Sequence, residues 1–140
     1  MKGIVTTVFG RYYTVESGGE RYTCVLPGKH RLREDRDRFT EPVAVGDVVE
    51  FDVGDGGDTG SIGRIIERKN VFTRKDRGRS KEDLIAANLD LVVVVQSFDR
   101  PKLNLRFVDR VCVRCVKEGI PVSLCANKAD LALPEEEEQV

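Results

Sequence analysis

Ile120-Pro121-Val122-Ser123-Leu124-Cys125-Ala126-Asn127-Lys128-Ala129-Asp130 is an apolar run that ends in a cluster of polar side chains. The run fits a buried strand of a parallel sheet. The Asn-Lys-x-Asp loop at its carboxyl end then places three groups where they can read a guanine base. The Asp130 carboxylate can accept two hydrogen bonds at once, from the ring N–H and the exocyclic amine of guanine. Adenine presents neither donor in that arrangement, so the carboxylate selects one base by leaving the other unpaired. Lys128 can lay its stem along the base plane while its ammonium stays solvated. Asn127 can donate to a ring acceptor or brace the loop.

Upstream of this run, Asn104 to Glu118 carries apolar residues at helical spacing: Leu105, Val108, Val111, Cys112, Cys115 and Val116 are expected on one side. Gly119 stops that helix. Before it, Leu89–Phe98 contains Leu91-Val92-Val93-Val94-Val95, a continuous apolar run of the kind buried on both faces of a parallel sheet. The three segments make a strand–helix–strand unit, and ligands of open α/β sheets bind at the carboxyl ends of the strands. Downstream, Leu133-Pro134-Glu135-Glu136-Glu137-Glu138 reads as a helix start, with Pro in the first turn and carboxylates favoured by the helix dipole. Two strands with one and a half helices cannot cover both faces of the sheet, so this second domain is expected to be incomplete as given.

The first 70 residues have a different grammar. Short strands are expected at Lys2–Phe9, Arg11–Glu16, Glu20–Leu26, Val45–Val53 and Ser61–Lys69, separated by Gly10, Ser17-Gly18-Gly19, Pro27-Gly28 and the tip Gly54–Gly60. Alternation puts Tyr13 and Val15 on one face and Tyr12, Thr14 and Glu16 on the other. Five short strands with one long loop suit a small closed β barrel of the OB-fold type, and Tyr12 on its outer face is a candidate for stacking on an RNA base. The loop Lys29–Glu41 mixes both charges and reads as a solvated excursion, with His30 a loop residue without chemistry.

Between Arg64 and Lys81 eight basic residues stand against Glu67 and Asp76, although the whole chain carries a net charge of −1. That density is the footprint of a segment that meets phosphate, and Arg74, Lys75, Arg77 and Arg79 are its candidate RNA contacts. Residues 73–88 are expected to be a basic linker.

At 140 residues, 40% hydrophobic and 34% charged, the composition is that of a soluble protein with much solvated loop. No run approaches the roughly 18 apolar residues of a membrane span, and the N-terminus lacks the apolar core and cleavage site of a signal peptide. A cytoplasmic location follows, with the four cysteines reduced. Cys112 and Cys115 form a C-x-x-C, but no second pair of ligands accompanies them, so packing in the helix is preferred over a metal or redox role. No catalytic carboxylate pair, triad or metal cluster is legible.

The order of parts discriminates further. A phosphate loop G-x-x-x-x-G-K-[ST] ordinarily precedes the base-reading motif, and here barrel and linker stand in its place. Either the Asn-Lys-x-Asp match is accidental, leaving a non-enzymatic OB-fold RNA-binding protein, or the domain is circularly permuted with its phosphate loop beyond Val140.

Several segments run in register with one family: Gly10-Arg11-Tyr12-Tyr13-Thr14-Val15, Val45-Gly46-Asp47-Val48-Val49 and Ile65-Ile66-Glu67-Arg68-Lys69-Asn70-Val71-Phe72-Thr73-Arg74 in the first half, then Ile85-Ala86-Ala87-Asn88-Leu89-Asp90, Leu105-Arg106-Phe107-Val108-Asp109-Arg110 and Asn127-Lys128-Ala129-Asp130-Leu131. In these the chain resembles the N-terminal portion of the RsgA (YjeQ/EngC) family of circularly permuted GTPases that depend on the small ribosomal subunit. The resemblance implies an OB-fold rRNA-binding barrel over residues 1–72, a basic linker over 73–88 and the N-terminal part of a permuted α/β GTPase domain over 89–140. It implies GTP with Mg²⁺ as ligand, Asn127, Lys128 and Asp130 as guanine-reading residues, and the small (30S) subunit with its rRNA as partner of a monomer. A zinc site is implied in the family's C-terminal domain, not in this chain. The phosphate loop has no counterpart here, so this stretch alone is expected to be inactive.

Overall fold

The computed structural model describes residues 1–28, 38–54, 59–75 and 78–132. Two compact units divide the chain, Met1–Leu89 and Asp90–Val140. The first unit opens with β1 (Lys2–Phe9), β2 (Tyr12–Ser17), β3 (Glu20–Val25), β4 (Val48–Val53) and β5 (Gly60–Ile65). They close into a barrel in the order β1-β2-β3-β5-β4, antiparallel except where β3 meets β5. The expected strand bounds agree to within a few residues, except that the last strand ends at Ile65 rather than Lys69. Alternation sends Val5, Tyr13, Val15, Cys24, Val49, Phe51 and Ile62 inward, joined by Val43 from the loop before β4. Tyr22 packs on Phe51 with ring centroids 5.3 Å apart.

Residues 73–88 correct the expectation of a linker. β6 (Val71–Arg74) and β7 (Asp83–Ala87) form an antiparallel hairpin. It closes a second core of Phe39, Ala44, Val71, Leu84 and Ala87. Two features hid it. A bulge between Phe72 and Thr73 breaks the alternation, and the apolar partners Phe39 and Ala44 lie some thirty to forty residues upstream in the sequence. Phe39 also corrects the reading of Lys29–Glu41 as wholly solvated, since it is buried; residues 29–37, with His30, lie outside the described residues.

Barrel and hairpin are tied by polar side chains at the strand ends and turns. Asp47, fully buried, accepts from Arg68 Nε at 2.7 Å and Nη2 at 2.8 Å, and from Ala44 N at 2.9 Å. Arg68 Nη2 also donates to Pro42 O at 2.7 Å. A buried carboxylate is tolerated only when paired and hydrogen-bonded in this way. Arg68 is therefore committed to the interior and leaves the set of basic residues open to phosphate.

Beside this pair, Asn70 Oδ1 accepts from Leu89 N and its Nδ2 donates to Leu89 O, both at 2.8 Å. Asn88 Oδ1 accepts from Lys69 N at 2.8 Å, and Nδ2 donates to Gly46 O at 2.9 Å. Gly46 has φ +90°, and a Cβ there would lie 2.0 Å from Ala87 O, so the approach of turn to hairpin admits only glycine.

The second unit places β8 (Val92–Ser97) beside β9 (Val122–Asn127) in parallel, in register from Val92↔Val122 to Ser97↔Asn127, with α1 (Leu105–Lys117) between them in sequence. Asn104 caps the helix, its Oδ1 accepting from Phe107 N at 3.1 Å. At the other end Gly119, with φ +66°, lets Ile120 N reach Cys115 O at 2.8 Å. Val94, Phe98, Val108, Cys115 and Ile120 are buried.

Burial on both faces of the run Leu91–Val95 is not observed: Val93 and Val95 are 52% and 56% exposed. Likewise Leu105 and Val116, expected on the inner side of the helix, are exposed. Among the described residues α1 packs on β8 and β9, and it leaves Val93 and Val95 on β8 and most of β9 exposed, so the expectation of a buried second strand over Ile120–Ala126 is not met either. The expected helix start at Leu133–Glu138 lies outside the described residues.

The buried pair yields a stability prediction. Arg68→Ala leaves Asp47 charged and unpaired inside the first unit, so urea unfolding of that unit is expected to show a loss of about 3–5 kcal/mol. A loss below about 1 kcal/mol, the range of an exposed pair, contradicts the assignment.

Candidate nucleotide and RNA sites

The Asn-Lys-x-Asp loop leaves the carboxyl end of β9. Asn127 closes the strand register opposite Ser97, and its carbonyl accepts from Phe98 N at 3.3 Å. Its side-chain Oδ1 accepts from Lys128 N at 2.9 Å, so Asn127 braces the turn and keeps Nδ2 as a donor. Lys128 sits in the left-handed region, φ 56° and ψ 42°, a costly conformation for a residue with a Cβ. The chain then turns through a single 3-10 turn, Ala129–Leu131, closed by Leu131 N donating to Lys128 O at 2.9 Å. The Lys128 ammonium donates to the carbonyls of Asp99 (3.4 Å) and Arg100 in the loop after β8. Asp130 is exposed. The strained turn thus separates a lysine held along the surface from a carboxylate free to meet a base edge.

On the barrel, Tyr12 is exposed, and Arg11 lies over its ring at 5.3 Å while donating to its hydroxyl at 3.2 Å. Directly opposite Tyr12 across the β1–β2 turn stands Phe9, 80% exposed. Sequence reasoning missed Phe9. The signal was present, because a two-residue Gly-Arg turn makes Phe9 and Tyr12 cross-strand partners on one face. Two exposed aromatics with a guanidinium beside them form a surface on which bases can stack.

The basic segment is divided by the fold. Arg74 and Arg79 reach the same carboxylate, Asp83, at 4.0 Å and 3.6 Å, while their side chains stay largely exposed. Lys75 is exposed on the same hairpin. Arg77 lies outside the described residues.

Cys112 and Cys115 sit one turn apart on α1, and burial pushes the Cys115 thiol up, away from the thiolate a metal needs. Cys24 is raised for the same reason. Among the described residues no group of His, Cys, Asp or Glu is arranged to hold a metal ion.

A closed barrel followed by a parallel strand–helix–strand with a loop at its carboxyl end defines a class: an N-terminal β barrel joined to part of an α/β GTPase domain. Comparison with known proteins narrows it. Residues 2–62 match the RsgA N-terminal domain and residues 65–140 the RsgA GTPase. The small ribosomal subunit biogenesis GTPase RsgA of Flavobacterium psychrophilum is 38% identical over 134 residues, spanning 93% of this chain and 40% of that protein. The protein of the same description from Chlorobaculum parvum is 38% identical over 142 residues, spanning 94% of this chain and 44% of that one. The crystal structure of YjeQ from Thermotoga maritima has a TM-score of 0.69 at 28% identity, covering 99% of this chain and 45% of that one. YloQ, a circularly permuted GTPase, shares the fold with a TM-score of 0.64 at 23% identity, over 99% of this chain and 44% of that one. The chain belongs to the RsgA family. It spans less than half the length of the relatives it matches.

The cysteines offer a check on the burial pattern. At mildly alkaline pH a thiol reagent is expected to modify exposed Cys125 in the folded chain and to reach Cys24 and Cys115 only after denaturation, because a raised pKa keeps those thiols protonated. Peptide mapping of the labelled chain reads this out, and Cys115 reacting as fast as Cys125 contradicts it.

Proposed function

We propose that this chain is the rRNA-binding barrel and guanine-reading portion of a GTPase that acts late in maturation of the small ribosomal subunit. The observation that carries the reading is the loop's place in its own unit: Asn127-Lys128-Ala129-Asp130 leaves the carboxyl end of the parallel strand β9, in a unit that follows a closed barrel in the sequence. Asp130 is assigned the bidentate contact to guanine, Lys128 the base plane and Asn127 the bracing of the turn. GTP with Mg²⁺ is the ligand. The pattern G-x-x-x-x-G-K-[ST] does not occur in these 140 residues, and hydrolysis depends on a cradle for the β- and γ-phosphates. The chain by itself is therefore assigned base recognition without turnover. A zinc site belongs to the family's C-terminal domain.

The barrel contributes Phe9 and Tyr12 for stacking, and the basic sequence from Arg74 to Arg79 contributes Arg74, Lys75, Arg77 and Arg79 for phosphate. The protein works in the cytoplasm as a monomer on the 30S subunit. GTP favours docking on the subunit, and hydrolysis stimulated by the ribosome releases it. Nucleotide state can alter rRNA affinity only through a coupling free energy between the two sites, which acts equally in both directions.

Two measurements test this reading in the full-length gene product. Asp130→Asn replaces one of the two acceptors facing the base with a donor, which suits the carbonyl that xanthine carries where guanine has its amine. Fluorescent-nucleotide titration is expected to show GTP affinity falling by about tenfold or more and xanthosine triphosphate gaining; retained GTP preference contradicts the assignment. Replacing Arg74, Lys75, Arg77 and Arg79 with Gln is expected to weaken 30S binding and flatten its salt dependence, and unchanged binding with unchanged slope removes the hairpin from the interface.

A further inference from the structure

A second basic segment lies in the other unit. From Arg100 to Lys117 there are six basic residues (Arg100, Lys102, Arg106, Arg110, Arg114 and Lys117) against the single acid Asp109. Four of the six are on α1. At about 100° per residue, Arg106, Arg110, Arg114 and Lys117 fall within an arc of roughly 80°. That arc lies opposite Val108 and Cys115, the residues α1 buries. Arg106, Arg110 and Lys117 are exposed, and Arg114 is half-buried. With about 1.5 Å of rise per residue the row is roughly 16 Å long. Asp109, Arg110, Val113, Arg114 and Lys117 line a groove along this face.

The arrangement works against the helix that carries it. Like charges at i and i+4 destabilise a helix, and Arg106–Arg110–Arg114 is such a series. The first turn holds no acid and instead holds Arg106 at the positive end of the helix dipole. Only Arg114 and Lys117, in the last turn, sit where the dipole favours a cation. The helix itself gains from cations at Arg114 and Lys117 but not from those at Arg106 and Arg110, whereas an extended polyanion lying along the row meets all four.

We infer that the outer face of α1 is a second RNA-contact surface, on which Arg106, Arg110, Arg114 and Lys117 meet consecutive phosphates of an RNA backbone. The choice of RNA rests on the proposed function; the surface itself is separate from the barrel and hairpin contacts assigned there. A long row of one sign suits a backbone of regularly spaced phosphates better than the mixed charge of a protein surface. Its role is orientation: phosphate contacts fix register and carry no sequence information.

The test uses the 140-residue chain and a short fluorescein-labelled RNA duplex, with anisotropy measured between about 50 and 200 mM KCl. One variant replaces Arg106, Arg110, Arg114 and Lys117 with Gln, which keeps helix propensity. A second replaces Arg74, Lys75, Arg77 and Arg79 with Gln. The α1 variant is expected to bind about tenfold or more weakly, with the slope of log K against log salt reduced by roughly 3. The double variant Arg106→Gln/Arg110→Gln, expected to show about half that slope change, serves if circular dichroism finds the fourfold variant unfolded.

Unchanged affinity and slope in the α1 variants, with the hairpin variant weakened, overturns the inference and leaves the proposed function standing. Weakening confined to the α1 variants supports the inference and counts against the hairpin interface. Absence of RNA binding by the unmodified chain overturns both. α1-dependent binding to phosphatidylserine vesicles without α1-dependent RNA binding assigns the row to a lipid surface and overturns the inference.

Discussion

The ion pair between Asp47 and Arg68 is the constraint on which the first unit is arranged. Asp47 stands at the entry to β4 and Arg68 just beyond β5, so the pair fixes two points on neighbouring strands of the barrel. The same guanidinium holds Pro42 O and lies 5.7 Å from the Phe39 ring. It thereby sets the path of the segment that delivers Phe39 and Ala44 to the second core. The β6–β7 hairpin closes over that core and is stitched to the turn at Gly46 through Asn88. Hydrophobic burial supplies most of the driving force here, but it is non-directional. The charged pair and the two asparagines give the hairpin one seat on the barrel rather than several.

The parts of the fold that announce themselves in sequence obey a local rule. Tyr13 and Val15 alternate with Tyr12 and Thr14, and the barrel strands follow. Val108, Val111, Cys112 and Cys115 repeat at helical spacing, and α1 follows. What stayed hidden depends on distant partners. Arg68 looks like one more cation in a basic run until Asp47 is brought beside it by strand pairing. Phe72 and Thr73 lose their alternation to a bulge. Val93 and Val95 carry the signature of a strand covered on both sides, but composition records what a strand can tolerate and not what lies against it. In the candidate site, the sequence nominates Asn127, Lys128 and Asp130 by their motif at a strand end, whereas the left-handed turn at Lys128 and its grip on the Asp99 and Arg100 carbonyls required coordinates. Phe9 was one pairing step from Tyr12 and needed only the turn geometry to be followed through.

Charge in this protein is better understood by location than by total. The whole chain is almost neutral, and the Arg64–Lys81 segment is strongly basic as written. Folding withdraws Arg68 into the interior and gives Arg74 and Arg79 a shared carboxylate in Asp83. The cationic field of the first unit is therefore weaker and more localised than a count implies. The α1 row, made from a segment that looks like an ordinary amphipathic helix, is in contrast more concentrated in space than in sequence.

The two units also differ in how far their backbone hydrogen bonding is complete. Each barrel strand has a neighbour on both sides, because β4 returns to β1 and the ring closes. Among the described residues β8 and β9 pair only with each other, so each has one flank without a strand beside it. Such flanks are templates for strand addition, whether by another segment, a second copy or an aggregate. Strand addition at the backbone is thus open to the β8–β9 sheet as described, beside the exposed Val93 and Val95, and closed to the barrel ring.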